Sequence, residues 1–235
     1  MLIDTHAHLY LCEIPIEELL KNAQDSNLSK IVNVGTNIQN SLESFRLSQK
    51  YSMVIPTIGI HPSEHQDLDK VNDINKYLQK YTFAAIGEIG LDYFKNYTSR
   101  EKQLELFEKQ LQVASDFNMP VIIHNRKADK DIFEMQKKYS KLKKVFHCYS
   151  SDETFARDVN SENTYFSFTG TITYSKKGKV INTLKYLPLD KIMLETDCPY
   201  LTPAKYKGQE NQPSYIIETA KKIAEIKKEP LEKII

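Results

Sequence analysis

The sequence predicts an α/β protein with the (β/α)8 barrel architecture. Three observations lead there: eight short apolar runs, helical patterns between them, and polar residues of metal-ligand type at the ends of the runs. In chain order the runs are MLIDTH, KIVNVG, MVIPTIG, TFAAIGE, MPVIIH, KKVFH, TYFSFTG and DKIMLETD. Between the first two, PIEELLKNAQDSN opens with Pro15 and Glu17, residues suited to a first helical turn. After the fourth, TSREKQLELFEKQLQVASDFN places Leu104, Phe107, Leu111, Ala114 and Phe117 on one stripe at helical spacing, with Thr98 or Ser99 as the cap. The segment PSYIIETAKKIAEIKK is a further amphipathic helix. A doubly wound sheet is the structural rival. Five of the seven glycines (Gly35, Gly59, Gly87, Gly90, Gly170) fall at or just past predicted strand ends, which in a barrel share the rim that carries the active site. Glycines end strands in any α/β protein, so their placement alone does not separate the two folds.

A chain of 235 residues builds one large core or two small ones, and residues 1–235 are expected to form one barrel domain. Composition is that of a globular protein: 40% hydrophobic, 27% charged, 10% aromatic. The formal net charge of +1 lacks the basic excess of a strong, sequence-independent nucleic-acid binder. It is compatible with a nucleic-acid substrate held briefly at a local site. Cys12, Cys148 and Cys198 form no CxxC and leave an odd count, which suits a reducing compartment. No apolar run approaches membrane length, and no signal-peptide pattern opens the chain. A cytoplasmic location without a membrane or protein partner is the expectation.

Asp4, His6 and His8 share parity and so face one side of an extended segment. Charge inside a barrel is expensive unless partnered, and a divalent metal is one partner. HxH alone leaves ligand and structural histidine equally open. The other strand ends break the tie: Glu88, His124, His147, and then Glu195 and Asp197, each follow an apolar strand. Four histidines with two of these carboxylates already exceed the needs of one tetrahedral ion. Two divalent ions with a bridging carboxylate follow, Glu88 being the candidate bridge. Mixed nitrogen and oxygen ligation suits Zn, Mn, Fe, Co or Ni, whereas Mg prefers oxygen; ligand type alone does not settle the metal, and two divalent ions, Mg, Mn or Zn, are expected.

The strings DTHAHL, GIHP, GEIGLDY, IIHNR, FHCYS and ETDCPYLTP, in this order from Leu2 to about Pro213, resemble the TatD family of metal-dependent deoxyribonucleases. The resemblance implies a TIM barrel of the amidohydrolase-like superfamily. It also implies metal-dependent hydrolysis of DNA phosphodiesters, often as a 3′→5′ exonuclease. By motif position the resemblance implies His6, His8, Glu88, His124, His147 and Asp197 as the ligands, all six of them among the residues the strand ends single out. One ion is then expected on His6, His8 and Asp197, the other on His124 and His147, with Glu88 bridging and Asp197 as general base. Glu195 is expected to support a ligand or hold a further ion, against a buried pairing with lysine. Asp4 either orients an imidazole or forms a structural bridge.

Substrate contacts are expected from His61, Asp92 and Arg126, the last through its planar fork on a phosphate. Tyr93 stacks a base or merely packs. His65 is expected in a solvated loop, and Cys148 and Cys198 are expected to pack rather than ligate. The chain departs from the family where Ser63 replaces a frequent histidine and Ser151 a frequent glycine. It departs again where KGQENQP, with Lys207, Gln209 and Glu210, replaces a basic segment. Relatives run roughly one or two helices past EKII, so the family's last helical segment is expected to be missing. Two other functions compete: a hydrolase of esters, amides or aminoacyl groups on the same scaffold, and a metal-binding protein that has lost activity.

Overall fold

Strand and helix alternate without interruption in the computed structural model, which describes residues 2–95 and 97–235, without the side chains of 65–68. The order is β1 (Leu2–Ala7), α1 (Ile16–Asp25), β2 (Leu28–Asn33), α2 (Ile38–Lys50), β3 (Val54–Pro56), α3 (Val71–Leu78), β4 (Ile86–Asp92) and α4 (Arg100–Asp116). It continues with β5 (Val121–Arg126), α5 (Asp129–Lys138), β6 (Lys144–Phe146), α6 (Glu153–Val159), β7 (Thr164–Phe168), α7 (Lys179–Tyr186), β8 (Ile192–Leu194) and α8 (Ile216–Lys227). Eight βα units in succession are the (β/α)8 barrel pattern. Local chemistry sets the boundaries. Ser99 caps α4 by accepting the Lys102 N–H, which settles the choice between Thr98 and Ser99. Asn37 caps α2 through the Asn40 N–H, and α8 ends at Lys228 in the left-handed region. Among the described residues no helix is long and apolar enough to cross a membrane.

The chain divides into two compact units. The first comprises Met1–Asn33, Cys148–Ala156 and Phe166–Ile235. In it β1 runs parallel to β2, Ala7 bridges to Cys198 just past β8, and Phe166–Phe168 of β7 pair parallel with Ile192–Leu194 of β8. Its strand order is therefore β7-β8-β1-β2, with Phe166, Phe168, Ile31 and Leu19 buried within it. The second unit comprises Val34–His147 and Arg157–Tyr165. Here Ile58, beyond β3, bridges Ile86, and β4, β5 and β6 pair in parallel. Ile58, Ile60, Ile89, Phe107 and Phe146 form its buried centre.

Strand boundaries differ from the apolar runs in an informative way. The fourth run stops at Glu88, but β4 continues to Asp92, pairing there with Arg126. Glu88, Gly87 and Gly90 thus lie inside a fully buried strand, not at its end. Gly90 has φ 141°, and a Cβ there would lie 2.0 Å from the His124 carbonyl oxygen, so only glycine admits β5 this close. Strands β1 and β4 also carry an irregular register. On β1 three steps from Asp4 to Ala7 oppose two on β2, and on β4 three steps from Ile86 to Ile89 oppose two on β5. The extra residue re-aims side chains where His6 and Glu88 sit.

Candidate metal centre

In the first unit three donors converge. His6 and His8 present their Nε2 atoms to each other at 3.3 Å, and Asp197 Oδ1 lies 3.7 Å from the first and 3.4 Å from the second. A tetrahedral ion with bonds near 2.1 Å requires donor separations of about 3.4 Å, so this set matches in type and in spacing. His6 sits inside β1, whereas His8 has left the strand and precedes a short turn at Leu9–Leu11. Asp197 adopts φ 59°, a left-handed conformation that asparagine and aspartate tolerate best. Its N–H donates to the His6 carbonyl at 2.9 Å, and the His8 N–H donates to the Cys198 carbonyl at 2.8 Å.

Asp4 explains how that loop is held. Its fully buried carboxylate accepts the Thr196 N–H at 2.9 Å, the Thr196 hydroxyl at 2.5 Å and the His6 N–H at 3.3 Å. Neither expected role describes it: among the described residues the carboxylate holds backbone N–H groups and the Thr196 hydroxyl, not an imidazole or a basic side chain. Burial pushes this carboxyl up to about 7 against those hydrogen bonds. Glu195, also fully buried, accepts the Cys148 N–H and the Ser167 hydroxyl, both at 2.6 Å. It thereby fixes Cys148, which follows His147 with φ 44°. Asn211 donates to the Thr196 and Tyr200 carbonyls from the other side.

In the second unit one carboxylate is surrounded by imidazoles. Glu88 Oε1 lies 2.9 Å from His124 Nδ1, 3.1 Å from His147 Nε2 and 3.7 Å from His61 Nε2. Burial alone would raise the Glu88 carboxyl, but His147, His61 and His124 outweigh it and hold it well below the usual carboxylate range. The backbone here is pinned as well: Glu88 N–H donates to the Gly35 carbonyl, and the Thr57 hydroxyl donates to the Gly87 carbonyl at 2.6 Å. His124 Nε2 faces Asp92 Oδ2 at 3.3 Å, while Asp92 Oδ1 accepts the Phe94 and Lys95 N–H groups. Both oxygens of Asp92 are engaged by the protein, which makes it the acceptor that orients His124 in place of the expected substrate contact.

His61 stands with Glu88 and His124 in a donor group within 4.8 Å, beside the expected role in substrate binding. Its Nδ1 accepts the Ser63 N–H at 3.1 Å, which leaves the ring proton on Nε2, pointing at Glu88. In that tautomer Nε2 carries a proton, 3.7 Å from Glu88 Oε1, and offers no lone pair to an ion. Tyr93 is tied down, its hydroxyl donating to Asp131 at 2.6 Å, and Asp131 also pairs with both arms of Arg100. Arg126 ends β5 and is exposed. Neither Cys148 nor Cys198 enters a donor group among the described residues, and the His65 side chain lies outside them.

Four supporting residues had no signal in the strand-end pattern. Tyr10 places its hydroxyl 3.2 Å from His8 Nδ1, turning the other nitrogen of that ring toward His6. Gln103 and Gln110, on the buried face of α4, clamp the backbone of Asp92 and of Ile60 by accepting the N–H and donating to the carbonyl. Glu210, in the segment expected to be basic, accepts the Glu13 and Ile14 N–H groups. That segment therefore braces the entry to α1. Two glutamines seven residues apart on an otherwise apolar helical face were the visible signal for the α4 pair.

The family model for TatD-related DNases matches residues 3–235. The chain belongs to the TatD family. It is 32% identical over 243 residues to YabD of Bacillus subtilis, an uncharacterized metal-dependent hydrolase, covering 100% of this chain and 94% of that protein. It is 29% identical over 233 residues to the Escherichia coli hydrolase YcfH, covering 96% of this chain and 88% of that protein. The crystal structure of the TatD homologue YjjV from Escherichia coli aligns at a TM-score of 0.90 with 27% identity, over 99% of this chain and 93% of that one. A TatD family hydrolase from Entamoeba histolytica aligns at 0.84 with 25% identity, over 99% of this chain and 95% of that one. The TatD motifs fall on the two donor sets: DTHAHL and ETDCPYLTP supply the first, GEIGLDY, IIHNR and FHCYS the second.

Proposed function

We propose that this TatD-family chain is a metal-dependent hydrolase of DNA phosphodiester bonds, working as a 3′→5′ exonuclease. The observation that carries the reading is the grouping of imidazole nitrogen with carboxylate oxygen: His6, His8 and Asp197 within 4.8 Å of one another, and Glu88 at 2.9 Å from His124 and 3.1 Å from His147. His6, His8 and Asp197 would hold one divalent ion, and Glu88, His124 and His147 another, with Mn, Zn or Mg as candidates. Such ions supply a lowered water pKa and a positive clamp for a phosphate. Asp197 takes the proton of the attacking water. His61, with its proton fixed on Nε2, donates to a phosphate oxygen, and Arg126 offers its fork to a second one.

The competing amidohydrolase mode commonly uses a carboxylated lysine between its metals. Lys144 is the one buried lysine among the described residues. Its Nζ bonds Gln136 and the Tyr139 carbonyl, away from every donor named above. Glu88 supplies the anionic ligand instead. The test is digestion of end-labelled single-stranded DNA by protein of known metal content. A ladder eroding from the 3′ end, abolished by chelation, is expected. Turnover of esters or amides with none on DNA would overturn the reading.

A further inference from the structure

Two of the three cysteines, far apart in sequence, meet beside the first donor set. Cys198 follows Asp197 directly and is fully buried, whereas Cys12 is half-buried and ends the turn that His8 opens. Both are placed by the backbone of one residue, His8. Its N–H donates to the Cys198 carbonyl at 2.8 Å, next to the parallel bridge between Ala7 and Cys198. Its carbonyl accepts the Cys12 thiol at 3.8 Å and the Leu11 N–H at 2.9 Å. The two thiols therefore stand side by side, with Cys12 as a side-chain hydrogen-bond partner of Cys198. The Cys198 N–H is held in turn by the Thr196 hydroxyl at 3.2 Å. Cys148, the third cysteine, faces the Thr169 hydroxyl at 3.9 Å instead.

One thiol within reach of solvent beside a second, buried one is the arrangement of a redox-responsive cysteine and its resolving partner. A reducing compartment is compatible with it, because disulfides that form there are transient and redox-sensing. We infer that Cys12 and Cys198 form a reversible disulfide under peroxide, and that this bond unmakes the first donor set. Peroxide first converts the Cys12 thiol to a sulfenic acid: a sulfur–oxygen bond forms, the O–O bond breaks and one water leaves. The Cys198 sulfur then attacks the Cys12 sulfur. The S–S bond forms, the S–O bond breaks, and the hydroxyl leaves as a second water with the Cys198 proton. Two thiols have given two electrons to one peroxide, and a dithiol reductant restores both by exchange. A disulfide holds its sulfurs closer than any thiol hydrogen bond does. Closing it draws the turn after His8 toward the residue after Asp197, and these two segments carry two of the three donors. Ligand distances tolerate only about 0.2 Å, so the set loses its fit to an ion. The inference rests on the reading that His6, His8 and Asp197 hold an ion, and it adds the regulation of that site.

The test pairs disulfide mapping with metal binding. Metal-free wild type, Cys12→Ser and Cys148→Ser are treated with hydrogen peroxide and freed of it. One portion is alkylated and mapped by mass spectrometry without reduction. A second is titrated with Co(II), and a third is titrated after dithiothreitol has been added and removed. A Cys12–Cys198 disulfide is expected in the wild type and in Cys148→Ser. In both, the affinity for one ion should fall by roughly tenfold or more and return after reduction. Cys12→Ser should bind Co(II) as the reduced wild type does, before and after peroxide. Absence of the Cys12–Cys198 disulfide, a disulfide that leaves Co(II) affinity unchanged, or an equal loss of affinity in Cys12→Ser would overturn the inference. The reduced, metal-loaded protein is also assayed on end-labelled DNA. Peroxide-dependent loss of an ion from protein that cuts no DNA would overturn the nuclease reading and leave the switch standing. Cleavage of DNA by protein that forms no such disulfide would do the reverse.

Discussion

The two donor sets solve one problem by different means. In the first unit, His6 and His8 come from neighbouring positions on one strand and its exit, and the loop carrying Asp197 is tied to them by Asp4 through Thr196. In the second, Glu88 stands alone on β4 and draws its imidazole partners from three other segments. The first set is organised by hydrogen bonds to backbone, the second by charge around one buried carboxylate. Removing a charge should therefore damage the second set most. Removing a buried acceptor should damage the first.

The largest expected effect follows directly. Glu88→Gln keeps the shape but removes the anion that three imidazoles face. Activity should fall by more than ~100-fold, beyond the roughly 10–100-fold cost of losing an outer partner. Steady-state rates with circular dichroism to confirm folding would check this, and a smaller loss would erase the contrast between the sets. Asp4→Ala is next. It frees the Thr196 and His6 N–H groups and loosens the loop that presents Asp197. Metal affinity of the first set should drop roughly 10–100-fold, with the second set unchanged, as read by titration of metal-free protein.

Gln103→Leu sharpens the comparison from the second unit. It strands the N–H and carbonyl of Asp92 in a buried place and should cost roughly 1–3 kcal/mol in denaturant unfolding. The smallest effect belongs to Arg100→Ala, at an exposed side chain. Hydrogen bonds from Arg100 lead in holding the Asp131 carboxyl below its ordinary 3.8. A carboxyl depressed in the folded state contributes stability above its unfolded pKa and loses it as pH falls through the folded value. The Tm difference between wild type and variant should thus be present at neutral pH and vanish as pH drops below that of Asp131.

Residue type and position made the clustered histidines and carboxylates legible in the sequence, because such residues rarely follow apolar strands without a partner. The alternation of eight strands with helices was legible for the same reason: period and length are local properties. What stayed hidden depended on pairing between distant segments. The register irregularities around His6 and Glu88 show only against β2 and β5, and the partner of Asp4 is Thr196, 192 residues away. The extension of β4 to Asp92 depends on β5 beside it. Gln103 and Gln110 stand out on the apolar face of α4, but which backbone they clamp shows only once α4 is laid against Asp92 and Ile60. The tautomer of His61 rests on one backbone N–H, that of Ser63, two residues on.

Metal stoichiometry tests most directly the proposal that the chain holds two ions, one of them on His6, His8 and Asp197. Metal-free protein would be titrated with Co(II) or Mn(II), alongside a His6→Ala/His8→Ala variant and the Glu88→Gln variant. Two ions per chain in the wild type, and one in the double histidine variant with the other ion's affinity retained, is the predicted result. A single ion in the wild type, or a double variant that still binds two, would contradict it.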